Sequence, residues 1–215
     1  MSYYTQTFLD AWKKTPVETV PYPHYIIKDA FPKTLVDDTE NLPYKIYNLA
    51  YTDGSREEFN KYRQYLTPDI IEKNDCAKKI SDVFLSKDVI SFIEKKGNIS
   101  LKNTLLRIEH TIDSKNFWLS PHTDLGVKKF TGLLYLSKGK EMENWGTDIY
   151  YDAEKHCKKT PYQPNTMLIF FPTDKTWHGF KPTCIDGIRR TFIINYVTTE
   201  WRNRQELVHP TKTVY

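Results

Sequence analysis

Two residues in the stretch Pro121-His122-Thr123-Asp124 could carry chemistry that the rest of the chain would have to serve. His122 and Asp124 are two positions apart, and on an extended strand that spacing puts both side chains on one face. A neutral imidazole and a carboxylate on one face supply two ligands of a His-His-carboxylate facial triad. Such a triad binds non-haem Fe(II) and leaves coordination positions open. Alone, the pair is weak, since a surface histidine beside an acid accounts for it more often. Its weight depends on a second histidine and on a group that could hold an anionic co-substrate.

His178 lies in Lys175-Thr176-Trp177-His178-Gly179-Phe180, a strand-like stretch between Pro172 and Pro182. By itself it reads as a core histidine or as a ligand. Eleven residues on comes Arg189, in Gly187-Ile188-Arg189-Arg190-Thr191-Phe192-Ile193-Ile194-Asn195-Tyr196. Alternation puts Arg189, Thr191, Ile193 and Asn195 on one face and Arg190, Phe192, Ile194 and Tyr196 on the other. An arginine and a hydroxyl two apart on an inner face can clamp a carboxylate, with the guanidinium fork bonding bidentately and Thr adding a donor. One of the two arginines is expected to be an exposed strand charge. Arg107 is also read as a surface strand charge, with a place facing the pocket as the alternative.

The elements that must position these groups fall into two textures. Residues 5–14 form a helical pattern with Phe8, Leu9 and Trp12 on one side, and Pro16 ends it. Tyr25-Ile26-Ile27 reads as a strand, and Pro32 to Asn41 as a helix begun by proline. Residues 75–85 and 87–96 are two more helices, with Gly97 a natural stop. Between them, residues 43–68 are polar and Tyr-rich, and residues 51–67 are either a lid or an ordinary surface excursion. After Gly97 come short strands at 104–111, 117–122, 129–136, 147–151, 166–171, 176–180 and 188–198. Helices before strands, without βαβ alternation, predict an α+β fold whose strands build a sandwich or barrel.

His122-x-Asp124, His178 and Arg189-x-Thr191 together resemble the signature of the 2-oxoglutarate/Fe(II) dioxygenases, in order and approximate spacing, and especially their prolyl 4-hydroxylase-like branch. The stretch Pro21-Tyr22-Pro23-His24-Tyr25-Ile26-Ile27-Lys28-Asp29 is similar to the opening strand of that branch. Gly132-Leu133-Leu134-Tyr135-Leu136-Ser137 resembles the strand after the His-x-Asp pair. Trp145-Gly146-Thr147 and Pro164-Asn165 followed by Met167–Phe171 fit the segments before the distal histidine. The likeness spans roughly residues 20 to 200; it is specific for the metal and co-substrate sites and weak for the substrate. It implies a double-stranded β-helix, or jelly roll, with N-terminal helices packed outside. It also implies one domain over residues 1–215, with helical support to about 100 and the core from about 101 to 200. It makes His122, Asp124 and His178 the iron ligands, and Arg189, Thr191 and Tyr135 the residues that meet 2-oxoglutarate. The cofactors it implies are Fe(II), 2-oxoglutarate and O2, with ascorbate as a reductant. The carboxylate at position 124, where related halogenases carry a small residue, favours hydroxylation. Phe117, Trp118, Tyr135, Phe170 and Trp177 could dry the pocket.

Composition agrees with this reading and excludes others. The 215-residue chain is 39% hydrophobic, 27% charged and 14% aromatic, and its fifteen Tyr and eleven Phe lean toward strands. A net charge of +4 and a pI of about 8.7 are not a nucleic-acid footprint. Cys76, Cys157 and Cys184 are odd in number and widely spaced, which argues against a disulfide framework or zinc ribbon and fits a reducing cytosol. With no signal pattern and no apolar run of membrane-spanning length, the protein reads as soluble and cytoplasmic. The expected substrate is a small molecule or a peptide. Oxidative demethylation of nucleic acid would need more than the short basic, aromatic stretch Lys61–Tyr65. A non-catalytic jelly-roll binding module is the reading from a different class.

Overall fold

A computed structural model describes residues 1–47, 53–55, 63–124, 126–138 and 142–215. Most of residues 51–67, and Lys61 and Tyr62 of the basic stretch, lie outside the described residues.

The chain opens with α1, Tyr3–Lys14, whose N-terminus is capped by Ser2 accepting from the Thr5 N–H at 3.1 Å. Phe8, Leu9 and Trp12 form its buried face. Strand β1 (His24–Ile27) leads to α2 (Lys33–Asp38), which starts after Pro32 and tightens into a 3₁₀ turn at Thr39–Asn41. Two elements were not legible in the sequence here. They are the two-residue strand β2 (Gln64–Tyr65) and the short α3 (Pro68–Lys73). Helices α4 (Asp75–Leu85) and α5 (Lys87–Gly97) follow.

Helix α5 does end at Gly97, for a different reason than expected. The left-handed residue is Asn98, at φ 48°. Gly97 is needed for space, because a Cβ there would sit 2.2 Å from the Phe171 ring. The glycine lets α5 lie directly on the sheet.

The remaining strands are β3 (Leu105–Asp113), β4 (Leu119–His122), β5 (Lys128–Tyr135), β6 (Asp148–Tyr150), β7 (His156–Lys159), β8 (Met167–Phe170), β9 (His178–Phe180) and β10 (Arg189–Val197). All seven expected strands are present. The added one, β7, is the polar run His156-Cys157-Lys158-Lys159, which lacks any apolar alternation.

The strands form two antiparallel sheets, a six-stranded one in the order β1-β8-β5-β10-β3-β2 and a four-stranded one in the order β4-β9-β6-β7. Alternation along β10 divides the core. Phe192, Ile194 and Tyr196 join the helices in an outer cluster with Phe8, Trp12 and Phe84. Ile193 faces inward, into a second cluster between the sheets with Leu133, Phe170 and Phe180. The result is the expected α+β double-stranded β-helix with helices outside. The first half of the chain is more than a helical support, since β1 and β2 are the two edges of the large sheet.

Arg190 departs from the expectation of an exposed strand charge: it is 5% exposed. It sits on the helix side of β10, with Nη2 donating to Thr39 O, Nε 3.4 Å from His110 Nε2 and the Tyr44 ring 4.9 Å away. Burial, with the Arg190 charge beside it, pushes His110 down to about 3 from an ordinary 6.5. On acidification the unfolded chain therefore takes up a proton that the native state refuses. Stability is intact above the unfolded value and falls as the pH drops through it toward the native one. His24 shifts in the same direction, chiefly through burial. The urea midpoint of the wild type should fall more between about pH 7 and pH 5 than that of His110→Gln.

Candidate metal centre

The site is built where the small sheet folds over the large one. Strands β4 and β9 run antiparallel, with His122 directly opposite His178 and their ring centroids 4.4 Å apart. Gly179 permits this approach: a Cβ there would meet Leu119 O at 2.7 Å and Ser120 O at 3.1 Å. A bulge between Leu119 and His122 turns β4 toward its neighbour.

Each imidazole is oriented in the same way. His122 Nδ1 lies 2.9 Å from Ser120 O, and His178 Nδ1 lies 2.9 Å from Thr176 O. A carbonyl can only accept, so each Nδ1 donates, and Nε2 is the ring atom left for a metal. Asp124 lies beyond the end of β4, so strand alternation does not bring it round. Residues of β5 do: Lys128 Nζ donates to Asp124 Oδ1 at 2.6 Å and Thr131 Oγ1 to Oδ2 at 2.9 Å. The carboxylate then lies 4.0 Å from His122 Nε2 and 3.7 Å from His178 Nε2. One donor atom from each of the three residues fits within 4.8 Å of the others. Two imidazoles and one carboxylate, poised on one side of a common point, suit a borderline divalent ion that keeps open positions. Burial would raise the Asp124 carboxyl, but Lys128 and the two histidines outweigh it and hold it well below the usual carboxylate range.

A cavity of about 30 Å³ adjoins the centre, lined by His178, Phe117, Thr147, Asp113, Arg189 and Thr191 among others. Arg189 Nε donates to Trp145 O at 2.7 Å, Nη1 contacts Asp113 Oδ2, and the Phe180 ring lies 4.5 Å from the guanidinium carbon. Thr191 Oγ1 is buried without a hydrogen-bond partner among the described residues. Of the expected aromatic lining, Phe117 faces the cavity and Phe170 packs on the His178 ring at 4.7 Å. The Trp118 ring lies over Gly54. Tyr135 lies one hydrogen bond behind the residues that line the cavity. Its hydroxyl is held by Thr160 Oγ1 at 2.7 Å, Thr147 Oγ1 at 2.9 Å and the Thr147 N–H at 3.2 Å. It ties β5 to the segments flanking β6 and β7, and Thr147 takes the cavity position.

Arg107 corrects the surface reading: it is 1% exposed and is the hub of an internal ion-pair network. It donates to Glu206 at 2.8 Å, Glu109 at 2.8 Å and Asn195 at 3.2 Å. Asn195 in turn donates to Thr131 Oγ1 at 3.0 Å, the hydroxyl that holds Asp124. At the other end Arg63 pairs with Glu109 and so is committed to the interior. Sequence reasoning missed Asp113, Lys128, Thr131 and Glu109. Asp113 was within reach, because continuing the β3 alternation from Arg107 and Glu109 through Thr111 places it on the inner face.

Asp124→Ala should abolish Mn(II) binding in a calorimetric titration. Thr131→Val, which removes one support of the carboxylate, should weaken it by about 10- to 100-fold. Arg107→Ala leaves a buried carboxylate unpaired and should cost about 3–5 kcal/mol in urea unfolding.

No family model and no curated protein matches the sequence. Solved structures do match by shape. A prolyl hydroxylase from Trichoplax adhaerens, in complex with a hypoxia inducible factor oxygen degradation domain peptide fragment, is 15% identical, with a TM-score of 0.56 over 90% of this chain and 88% of that one. A Pseudomonas putida prolyl-4-hydroxylase is 11% identical, with a TM-score of 0.57 over 92% and 96%. HygX from Streptomyces hygroscopicus, with nickel and 2-oxoglutarate bound, is 12% identical, with a TM-score of 0.52 over 91% and 88%. At these identities the likeness is one of fold: the chain has the helix-flanked double-stranded β-helix of the prolyl hydroxylases and their 2-oxoglutarate-binding neighbours.

Proposed function

We propose that the chain is an Fe(II)- and 2-oxoglutarate-dependent dioxygenase that hydroxylates an unactivated C–H bond of an amino acid, a peptidyl residue such as proline, or another small metabolite. The observation that carries this reading is the convergence of His122, Asp124 and His178 beside a cavity that ends on Arg189 and the unpartnered Thr191 hydroxyl. The fold shared with prolyl hydroxylases supports the reaction class, and a peptide-bound neighbour supports a peptide substrate. The residues are read as one dioxygenase unit. No helix among the described residues is long and apolar enough to cross a membrane. A reducing, cytoplasmic setting is part of the proposal, in keeping with the three free cysteines.

When bound, Fe(II) would couple oxidative decarboxylation of 2-oxoglutarate by O2, giving succinate and CO2, to oxygen insertion into the substrate. The chain's own work is binding, orientation and exclusion. His122 and His178 present fixed Nε2 lone pairs. Asp124 supplies the single negative charge, low enough in total for an anionic chelator to be accepted. Arg189 and Thr191 lie where the far carboxylate of the co-substrate would be held, the guanidinium supplying charge and the hydroxyl a donor. Phe117, Phe170 and Phe180 keep water from the reacting atoms. Asp124 fills the ligand position with a carboxylate, and this favours hydroxylation over halogen transfer.

The test is aerobic incubation with Fe(II) and 2-oxoglutarate, following succinate, with a search for a product heavier by one oxygen among candidate substrates. Slow succinate formation without substrate is expected. Arg189→Ala should weaken 2-oxoglutarate binding by about 30-fold or more, while Arg190→Ala, on the helix side, should lower stability and leave that affinity within about threefold. Metal binding with neither succinate nor co-substrate affinity would instead identify a non-catalytic metal-binding module.

A further inference from the structure

The cavity that would receive the co-substrate already contains a carboxylate. Asp113 is the last residue of β3 and the register partner of Arg189, the first residue of β10. Both face inward, and they are 6% and 5% exposed. Among the described residues Arg189 spends Nη1 on Asp113 and Nε on Trp145 O, which leaves Nη2. The cavity they line is small, about 30 Å³. On the same face, Thr191 offers a hydroxyl without a hydrogen-bond partner among the described residues.

An arginine buried without a counter-charge is costly. Asp113 supplies that counter-charge. A second carboxylate arriving at the same guanidinium would meet a neutralised cation and a like charge at a buried site, where Coulomb forces are stronger than in water. Binding therefore requires Asp113 to give way or to share the fork at close range, and both oppose the ligand.

We propose that Asp113 is an internal stand-in for the far carboxylate of the co-substrate. It is a specificity-determining residue that lowers affinity for 2-oxoglutarate and narrows its advantage over 2-oxo acids with no second carboxylate. This rests on the dioxygenase reading of the site. A residue that only held Arg189 in place would act in the opposite sense, because its loss would weaken the diacid.

The experiment uses the full chain loaded with Mn(II), which does not turn over, and measures binding of 2-oxoglutarate and 2-oxobutyrate by calorimetry. Asp113→Asn keeps the shape and removes the charge, and Asp113→Ser serves if the first variant does not fold. Either should bind 2-oxoglutarate about tenfold tighter than wild type, and 2-oxobutyrate within about threefold of wild type. A gain for 2-oxoglutarate below about threefold, a loss, or an equal gain for both acids overturns the inference while leaving the dioxygenase reading intact. If Mn(II) binds but neither acid binds wild type or variant, the dioxygenase reading itself falls, and the role of Asp113 with it.

Discussion

The Asp124 carboxylate is a buried negative charge in a small space, and the surrounding structure is arranged to keep it there. Burial alone would neutralise it. Lys128 and Thr131, one turn of chain further on in β5, hold its two oxygens, and His122 and His178 crowd the side left over. Lone carboxylates in protein interiors are expensive, and one held by a lysine, a hydroxyl and two imidazoles is stable yet ready to exchange a partner for a cation. The hydroxyl is itself held by Asn195, and Asn195 by Arg107. The candidate ligand is thus the end of a buried polar chain that passes through Glu109 to Arg63.

That chain explains why the inner face of the large sheet can be so polar. Arg107, Glu109, Thr111 and Asp113 of β3 face Arg189, Thr191 and Asn195 of β10, positions that a jelly roll fills with apolar side chains elsewhere. Every charge in the set meets an opposite one, so the face is close to neutral in sum. The outer face of the same strands is apolar and carries the helices. Arg190 and His110 are its exceptions, side by side, with Arg190 satisfied by Thr39 at the end of α2.

Legibility in the sequence followed locality. His122, His178, Arg189 and Thr191 could be singled out because strand period and short spacing are written into neighbouring residues. That they lie on strands of a β-rich core could be anticipated from the number of apolar runs. The burial of Arg107 could not, because it depends on which residues of distant segments lie against it. Register is a property of two segments and of the turns that join them. A charged residue in a strand reads as solvent-facing when its partner is 99 residues away, as Glu206 is from Arg107. Tyr135 shows the reverse limit. Nothing near it in the chain shows that Thr147 and Thr160, beside the strands of the small sheet, bond its hydroxyl.

The contact made possible by Gly179 has a mechanical meaning. The gap between the two imidazoles is set by main chain resting on main chain, not by side chains free to change rotamer. Backbone in a paired strand is the stiffest material a protein has, so the spacing should drift little with temperature or with whatever fills the neighbouring space. Even one methyl group at that position would act as a shim, prising the small sheet open along the line where its two histidines meet.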